Sequence, residues 1–154
     1  MNTLHKLKQG KKNYKITNFP GTEEKIALVV LTSEEVEASK VAAQEYIKEK
    51  GIEDEDYIEI ENQRQMVYRA LRDKDDRTKR LAGSYDELVE TLDNMEIQFL
   101  FVEYTGLTTE CSPFLGAVTD DQFNVLKKTL EKTQLSDLSG PSLAALRFFL
   151  LTLT

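Results

Sequence analysis

The sequence predicts a mainly α-helical protein, an N-terminal β-hairpin followed by a bundle of about five or six helices. Three observations carry that prediction. Two short strand-like runs flank a Pro-Gly turn near the start. From Thr32 onward, apolar residues recur at helical rather than alternating spacing. Helix-start signals also repeat along the chain, a Ser or Thr followed three residues later by Glu or Gln.

Taken in order, "NYKITN" at 13–18 alternates as a strand, Pro20-Gly21 turns the chain, and "KIALVVL" returns as a second, β-branched strand. Thr32 is placed as an N-cap with Glu35 completing the capping box, and Glu34 suits the positive end of the helix dipole. That helix should run to about Lys50 and stop at Gly51, with Val36, Ala43 and Ile47 as its apolar face. "YIEIE" alternates like a strand, but over a longer window Tyr57, Ile60, Val67 and Leu71 keep helical spacing, so a helix is predicted. Arg64 interrupts that stripe, and Met66 and Ala70 widen it.

Ser84 restarts the chain as a cap, with Glu87 in the box position and Leu88 and Leu92 inside. Asp93 caps the next helix, for which Met95, Phe99, Val102 and Gly106 are the expected core side, widened by Leu100, Phe101 and Tyr104. Pro113 and Gly116 mark a break. Thr119 with Gln122 opens another helix faced by Phe123, Leu126 and Leu130, and "SDLSGPS" is a linker by composition. Pro141 suits the first turn of a last, almost wholly apolar helix. The organisation expected is a basic, flexible leader over 1–12, a hairpin-plus-helices domain over 13–138, and an apolar terminal helix over 139–154.

The chain has 154 residues, 40% hydrophobic and 31% charged, which fits one domain with a wet surface. Its net charge of −7 is unevenly spread: Lys6, Lys8, Lys11, Lys12 and Lys15 make the first 22 residues +5, whereas residues 23–61 carry −9. An acidic body speaks against nucleic acid as the main partner, since phosphate binding needs clustered cations. No apolar run reaches the ~18–20 residues of a membrane span. The N-terminus lacks the apolar region of a signal peptide, and the one cysteine, Cys111, can make no internal disulfide; both fit a reducing cytosol.

Candidate chemistry is sparse. "LRDKDDRTKRL" at 71–81 invites comparison with an EF-hand loop starting at Asp73. Its fifth position would be Arg77, its sixth Thr78 instead of glycine, and its twelfth Ser84 instead of glutamate. An arginine where a ligand belongs removes that reading, and an exposed hinge with its aspartates facing water is expected instead. His5 is the only histidine and lies in the leader, far in sequence from Cys111. No glycine-rich phosphate loop is present. The paired acids Glu34/Glu35, Asp75/Asp76 and Asp120/Asp121 sit at helix starts or loops, where the dipole accounts for most of them. The expectation is therefore no catalytic site, no metal and no cofactor.

One feature asks for a partner. "PSLAALRFFLLTLT", the last fourteen residues, is apolar on nearly every face. Such a helix is either central in a core or covered by another molecule. Leu143, Leu146, Phe148, Phe149 and Leu150 are the candidate partner-binding residues.

The order of landmarks resembles the tail assembly chaperones of long-tailed bacteriophages of Gram-positive hosts. It comprises Pro20-Gly21 and its apolar strand, Leu31-Thr32-Ser33-Glu34-Glu35, Ala70-Leu71-Arg72-Asp73, Ser84 to Leu88, and Phe99 to Pro113. The resemblance spans about residues 14–113. Lys74, Arg77 and Thr78 stand where that family commonly has Pro and Glu, and the last forty residues correspond only by position. The resemblance implies a non-enzymatic protein of the host cytoplasm that coats the tape measure protein until the tail tube polymerises around it, and that is absent from the finished virion. It further implies a homo-oligomer, a longer frameshifted form of the same chain as a partner, and the tail tube protein as a further contact. Two other readings stand beside it: a small acidic adaptor or inhibitor of one folded protein, and a structural head–tail connector component.

Overall fold

The computed structural model describes residues 2–113 of the chain. It is mostly helical, with an antiparallel hairpin ahead of the main helices, as the sequence predicts. The elements are α1 (Thr3–Gln9), β1 (Tyr14–Asn18), β2 (Lys25–Val29), α2 (Ser33–Lys50), α3 (Glu55–Ala70), β3 (Leu71–Arg72), α4 (Tyr85–Thr91) and α5 (Asn94–Glu110). The helices expected from Thr119 and Pro141 onward lie outside the described residues.

The leader contains a helix where none was expected. Asn2 caps α1 by accepting from the His5 amide, and Lys6 and Lys8 sit in its last turn, where cations suit the dipole. α1 buries no residue, so its solvated character is as expected.

The hairpin turn follows from two residues. Pro20 fixes its own φ, Gly21 adopts a positive φ of 76°, and the Thr22 amide donates to the Phe19 carbonyl at 3.0 Å. A Pro-Gly pair at the two central positions suits a type II turn. Strand pairing runs from Tyr14 opposite Val29 to Asn18 opposite Lys25. β2 is the middle strand of three, in the order β1-β2-β3. Its continuous apolar run fits that place: Ile26, Ala27 and Leu28 are all buried, and the strand packs against α3 and α5.

The third strand is a correction to the sequence reading. Leu71 does not continue the α3 stripe. The chain turns extended at Leu71 and pairs it with Leu28, and Arg72 with Ala27. A two-residue strand has almost no sequence signature; here the reward is a second hydrogen-bonded edge for β2.

α2 begins and ends where predicted. Thr32 Oγ1 accepts the Glu35 amide and Glu35 Oε1 accepts the Thr32 amide, both at 3.2 Å. At the other end Gly51 is left-handed, and the amides of Gly51 and Ile52 close back on the carbonyls of Lys48 and Ile47, a Schellman motif. An added Cβ at Gly51 would meet nothing within 4 Å, so only the backbone conformation resists substitution. Gly51→Ala is expected to cost about 1 kcal/mol, measured by urea denaturation.

α3 differs from its predicted face. Tyr57 is exposed, and the inward residues include Glu61, Gln63 and Gln65 as well as Val67 and Ala70. α3 is wedged between α2, α4, α5 and the sheet, so even its polar positions are covered. Ser84 caps α4 by accepting the Glu87 amide, but the Glu87 carboxylate reaches the Gly83 amide instead of closing a box. Asp93 caps α5, and Glu96 completes a capping box there.

Candidate interaction surface

α5 carries apolar residues on two opposite faces, and the structure chooses between them. Ile97, Leu100, Phe101, Tyr104 and Leu107 pack into the core with Leu28, Leu31, Val67 and Leu88. Met95, Phe99 and Val102 face outward, 73%, 48% and 46% exposed, and Gly106 of the same stripe is half-buried. This corrects the expected core side of α5. Both stripes have helical spacing, and at ~100° per residue they lie roughly opposite each other. A helical wheel alone cannot rank them. The contact with β2 and α3 does, and it takes the stripe with Leu100, Phe101 and Tyr104.

The flanks of the outward stripe are polar and partly neutralised. Lys15 Nζ, on β1, lies 2.8 Å from Glu103 Oε2, and Lys12 reaches Glu110 at 3.7 Å. These pairs also tie the end of the basic leader and β1 to α5. Leu4 and Leu7 of α1 add two more exposed apolar side chains. Large exposed apolar residues grouped on one helix face, on a body this acidic, mark a contact surface more often than scattered ones do.

The 71–81 segment is exposed from position 74 onward, as expected, and hydrogen bonds close it on itself as a hairpin. Leu81 N–H donates to the Leu71 carbonyl, Asp73 N–H to Lys79 and Lys79 N–H to Asp76. Asp73 Oδ1 accepts the amides of Asp75 and Asp76 at 2.8 and 3.1 Å; Asp76 Oδ1 accepts the Thr78 hydroxyl at 2.6 Å and its amide at 3.1 Å. The backbone amides hold the Asp73 carboxyl below its ordinary range, and the Thr78 hydroxyl and then its amide do the same for Asp76. The oxygens a cation would need are thus turned to the loop's own donors.

Arg72 ties this hairpin down. Its guanidinium donates to the Arg69 carbonyl at 2.7 Å, the Arg77 carbonyl at 3.0 Å and Glu35 Oε2 at 2.7 Å. Arg77 lies over the Tyr14 ring at 4.0 Å and Arg80 over Tyr68 at 4.9 Å. Arg77, which spoils the calcium motif, thus takes part in fastening the hairpin.

A buried polar cluster joins α3 to α4. Glu61 is 1% exposed. Tyr85 donates its hydroxyl to Glu61 Oε1 at 2.6 Å, and Gln65 Nε2 donates to the same oxygen at 2.9 Å. Gln65 Oε1 in turn accepts from Arg69 at 2.8 Å. Burial first, and then the Glu61 carboxylate, push the Tyr85 hydroxyl well above the ordinary tyrosine range. The cluster is satisfied from within and ties two elements together, so it reads as architecture.

His5 Nδ1 lies 2.8 Å from its own cap, Asn2 Oδ1, and Cys111 is half-buried at the end of α5. No hydrogen bond joins them among the described residues. No group of three His, Cys, Asp or Glu side chains among the described residues could hold a metal ion. None of their helices is long and apolar enough to cross a membrane. The predicted partner-binding residues Leu143, Leu146, Phe148, Phe149 and Leu150 lie outside the described residues. The outward-facing apolar residues that sequence reasoning missed are Met95, Phe99 and Val102, which it had assigned to the core.

Comparison of the chain with protein-family models, with curated proteins and with solved structures finds no match.

Proposed function

We propose that this chain is a non-enzymatic assembly factor, a phage tail assembly chaperone that holds the tape measure protein soluble until the tail tube forms around it. The observation that carries the reading is apolar surface kept outward on an acidic helical body: Met95, Phe99 and Val102 on α5, with Leu4 and Leu7 on α1. The landmark order from Pro20-Gly21 to Pro113 supplies the family. A long helical client offers an apolar stripe of its own, and helix-in-groove contacts are the ordinary way to cover one. Release as the tube grows requires modest affinity per copy, with avidity from many copies along the client. Leu143, Leu146, Phe148, Phe149 and Leu150 are the proposed terminal contacts, to the client or to a neighbouring copy.

The test is co-expression with the long tape-measure-like reading frame of the same genome. The full chain is expected to move that product into the soluble fraction in several copies per client, and truncation after Gly140 to reduce the effect. A one-to-one complex would point to the adaptor reading. Recovery of the chain in purified particles would point to a structural connector.

A further inference from the structure

We propose that Arg69 and Arg80, brought together on the Tyr68 ring, form a binding site for a phosphate group. The two guanidiniums lie 5.6 and 4.9 Å from the ring centre. Arg69 stands in the last turn of α3, and Arg80 is set opposite Arg72 by the bridge that closes the 71–81 hairpin. Like charges held on one ring repel. Burial first, and then the Arg80 charge, hold the Arg69 pKa below its ordinary value. Arg80 is exposed, so an anion reaches the pair from solvent.

No carboxylate among the described residues answers this pair. Glu35 is the acid whose charge reaches Arg69, but its Oε2 accepts from Arg72 at 2.7 Å and its Oε1 from the Thr32 amide and hydroxyl. Asp73 and Asp76 are turned to the loop's own donors. Arg69 Nη1 donates to the Gln65 carbonyl and side chain; its other N–H groups, and all those of the Arg80 side chain, have no acceptor among the described residues. Arg64 and Arg72, by contrast, each reach a glutamate. Residues 69–80 hold six cations against Asp73, Asp75 and Asp76, a local +3 on a chain of −7.

The charge of the pair selects the ligand. A carboxylate balances one guanidinium and leaves the other. A phosphate group carries about −1.5 to −2 near pH 7 and offers three acceptor oxygens, which removes the repulsion and fits the planar donor fork of arginine. The Tyr68 ring is taken by both guanidiniums and by an edge contact with Tyr85 at 6.0 Å, so it offers no platform to a nucleobase. Two cations on one ring are also not the extended run that a nucleic-acid backbone needs. None of these residues belongs to α5 or to the leader, so the site stands apart from the proposed client contacts and does not depend on them.

The test is titration of the full chain with inorganic phosphate, followed by the NMR shifts of the arginine Nε–H groups, with sodium chloride at matched ionic strength as the reference. The Arg69 and Arg80 signals are expected to move together and to saturate in the millimolar range. Arg80→Gln should weaken phosphate binding at least about tenfold and leave the rest of the spectrum in place, because the side chain is exposed. Lys74→Gln removes a charge from the same exposed loop and should change the affinity less than about twofold. Equal weakening by the two variants would mean a diffuse positive field, and shifts in phosphate no larger than in chloride would mean no site; either overturns the proposal. Acetate binding as tightly as phosphate would overturn the ligand class. A phosphoserine peptide, titrated alongside, separates the sources. Affinity no tighter than that of the free ion assigns the site to inorganic phosphate, tighter binding assigns it to a phosphorylated protein, and both results bear the site out.

Discussion

Leu100→Ala is expected to lower the free energy of unfolding by about 2–5 kcal/mol, whereas Phe99→Ala, one residue away, should change it by less than about 1 kcal/mol. Leu100 is fully buried where α5 meets the sheet and α3, among Leu28, Val67, Leu88 and Leu107. Truncation there removes most of a side chain and leaves a cavity that the strand and helices around it cannot collapse. Phe99 is half exposed on the opposite face, so its truncation forfeits only part of its contacts. Denaturation midpoints at unchanged m-value measure both. Equal costs at the two positions would mean that the outward face is packed, and would remove the exposed surface on which the proposed function rests.

Tyr85→Phe is expected to destabilise the fold by about 1.5–3 kcal/mol, the range for a hydrogen bond to a charged group, because it strips a donor from a carboxylate that has no access to water. Glu61 would keep Gln65, at 2.9 Å, and Arg64, at 3.8 Å, which is too long for a hydrogen bond. Adding Glu61→Gln to Tyr85→Phe should cost less than the two single changes together, since each removes the same contact. The pH dependence has a definite sign. The folded chain keeps the Tyr85 proton where the unfolded chain releases it, near pH ~10. Stability from this pair is therefore complete below that pH and falls as pH rises through and above it. Chemical denaturation between about pH 9 and 11 should show wild-type stability falling more steeply than that of Tyr85→Phe. Parallel slopes would show that the hydroxyl is not held by Glu61.

Gln63 marks the opposite case in the same helix. Among the described residues its Oε1 is buried with no hydrogen-bond partner, while its Nε2 makes only a long 3.5 Å contact with Glu59. An unsatisfied buried carbonyl costs about 1–3 kcal/mol. Gln63→Met keeps the length of the side chain and removes that group, so it should raise the melting temperature. The polar side of α3 thus holds one position that stabilises the fold and one that taxes it, and nothing in their spacing tells them apart.

Much of the fold was legible because it is written in short-range chemistry. Pro20-Gly21 turns the hairpin, Thr32 with Glu35 starts α2, Gly51 stops it, and Ser84 and Asp93 open α4 and α5. Each of these is settled by atoms within a few residues, so residue type and spacing suffice. The α1 helix in the leader was missed although its cap, Asn2, stands in the sequence; a run of lysines concealed it. The contact surface was misread for a different reason. α5 offers two apolar stripes, and residue type cannot say which one the rest of the molecule will cover.

The sequence by itself determined the order and type of the main helices and the hairpin, both ends of α2 and α5 and the start of α4, and it spoke against a calcium loop at Asp73 by placing Arg77 where a ligand belongs. Only the tertiary structure decided that Met95, Phe99 and Val102 face outward, that Leu71 leaves its helix to pair with Leu28, and that Glu61 is buried against Tyr85. Those outcomes depend on partners tens of residues away: Leu28 with Leu71, Glu35 with Arg72, Glu61 with Tyr85, Lys15 with Glu103. A capping box closes within one turn of helix, but the choice between two apolar faces is made by whichever surface arrives to cover one of them.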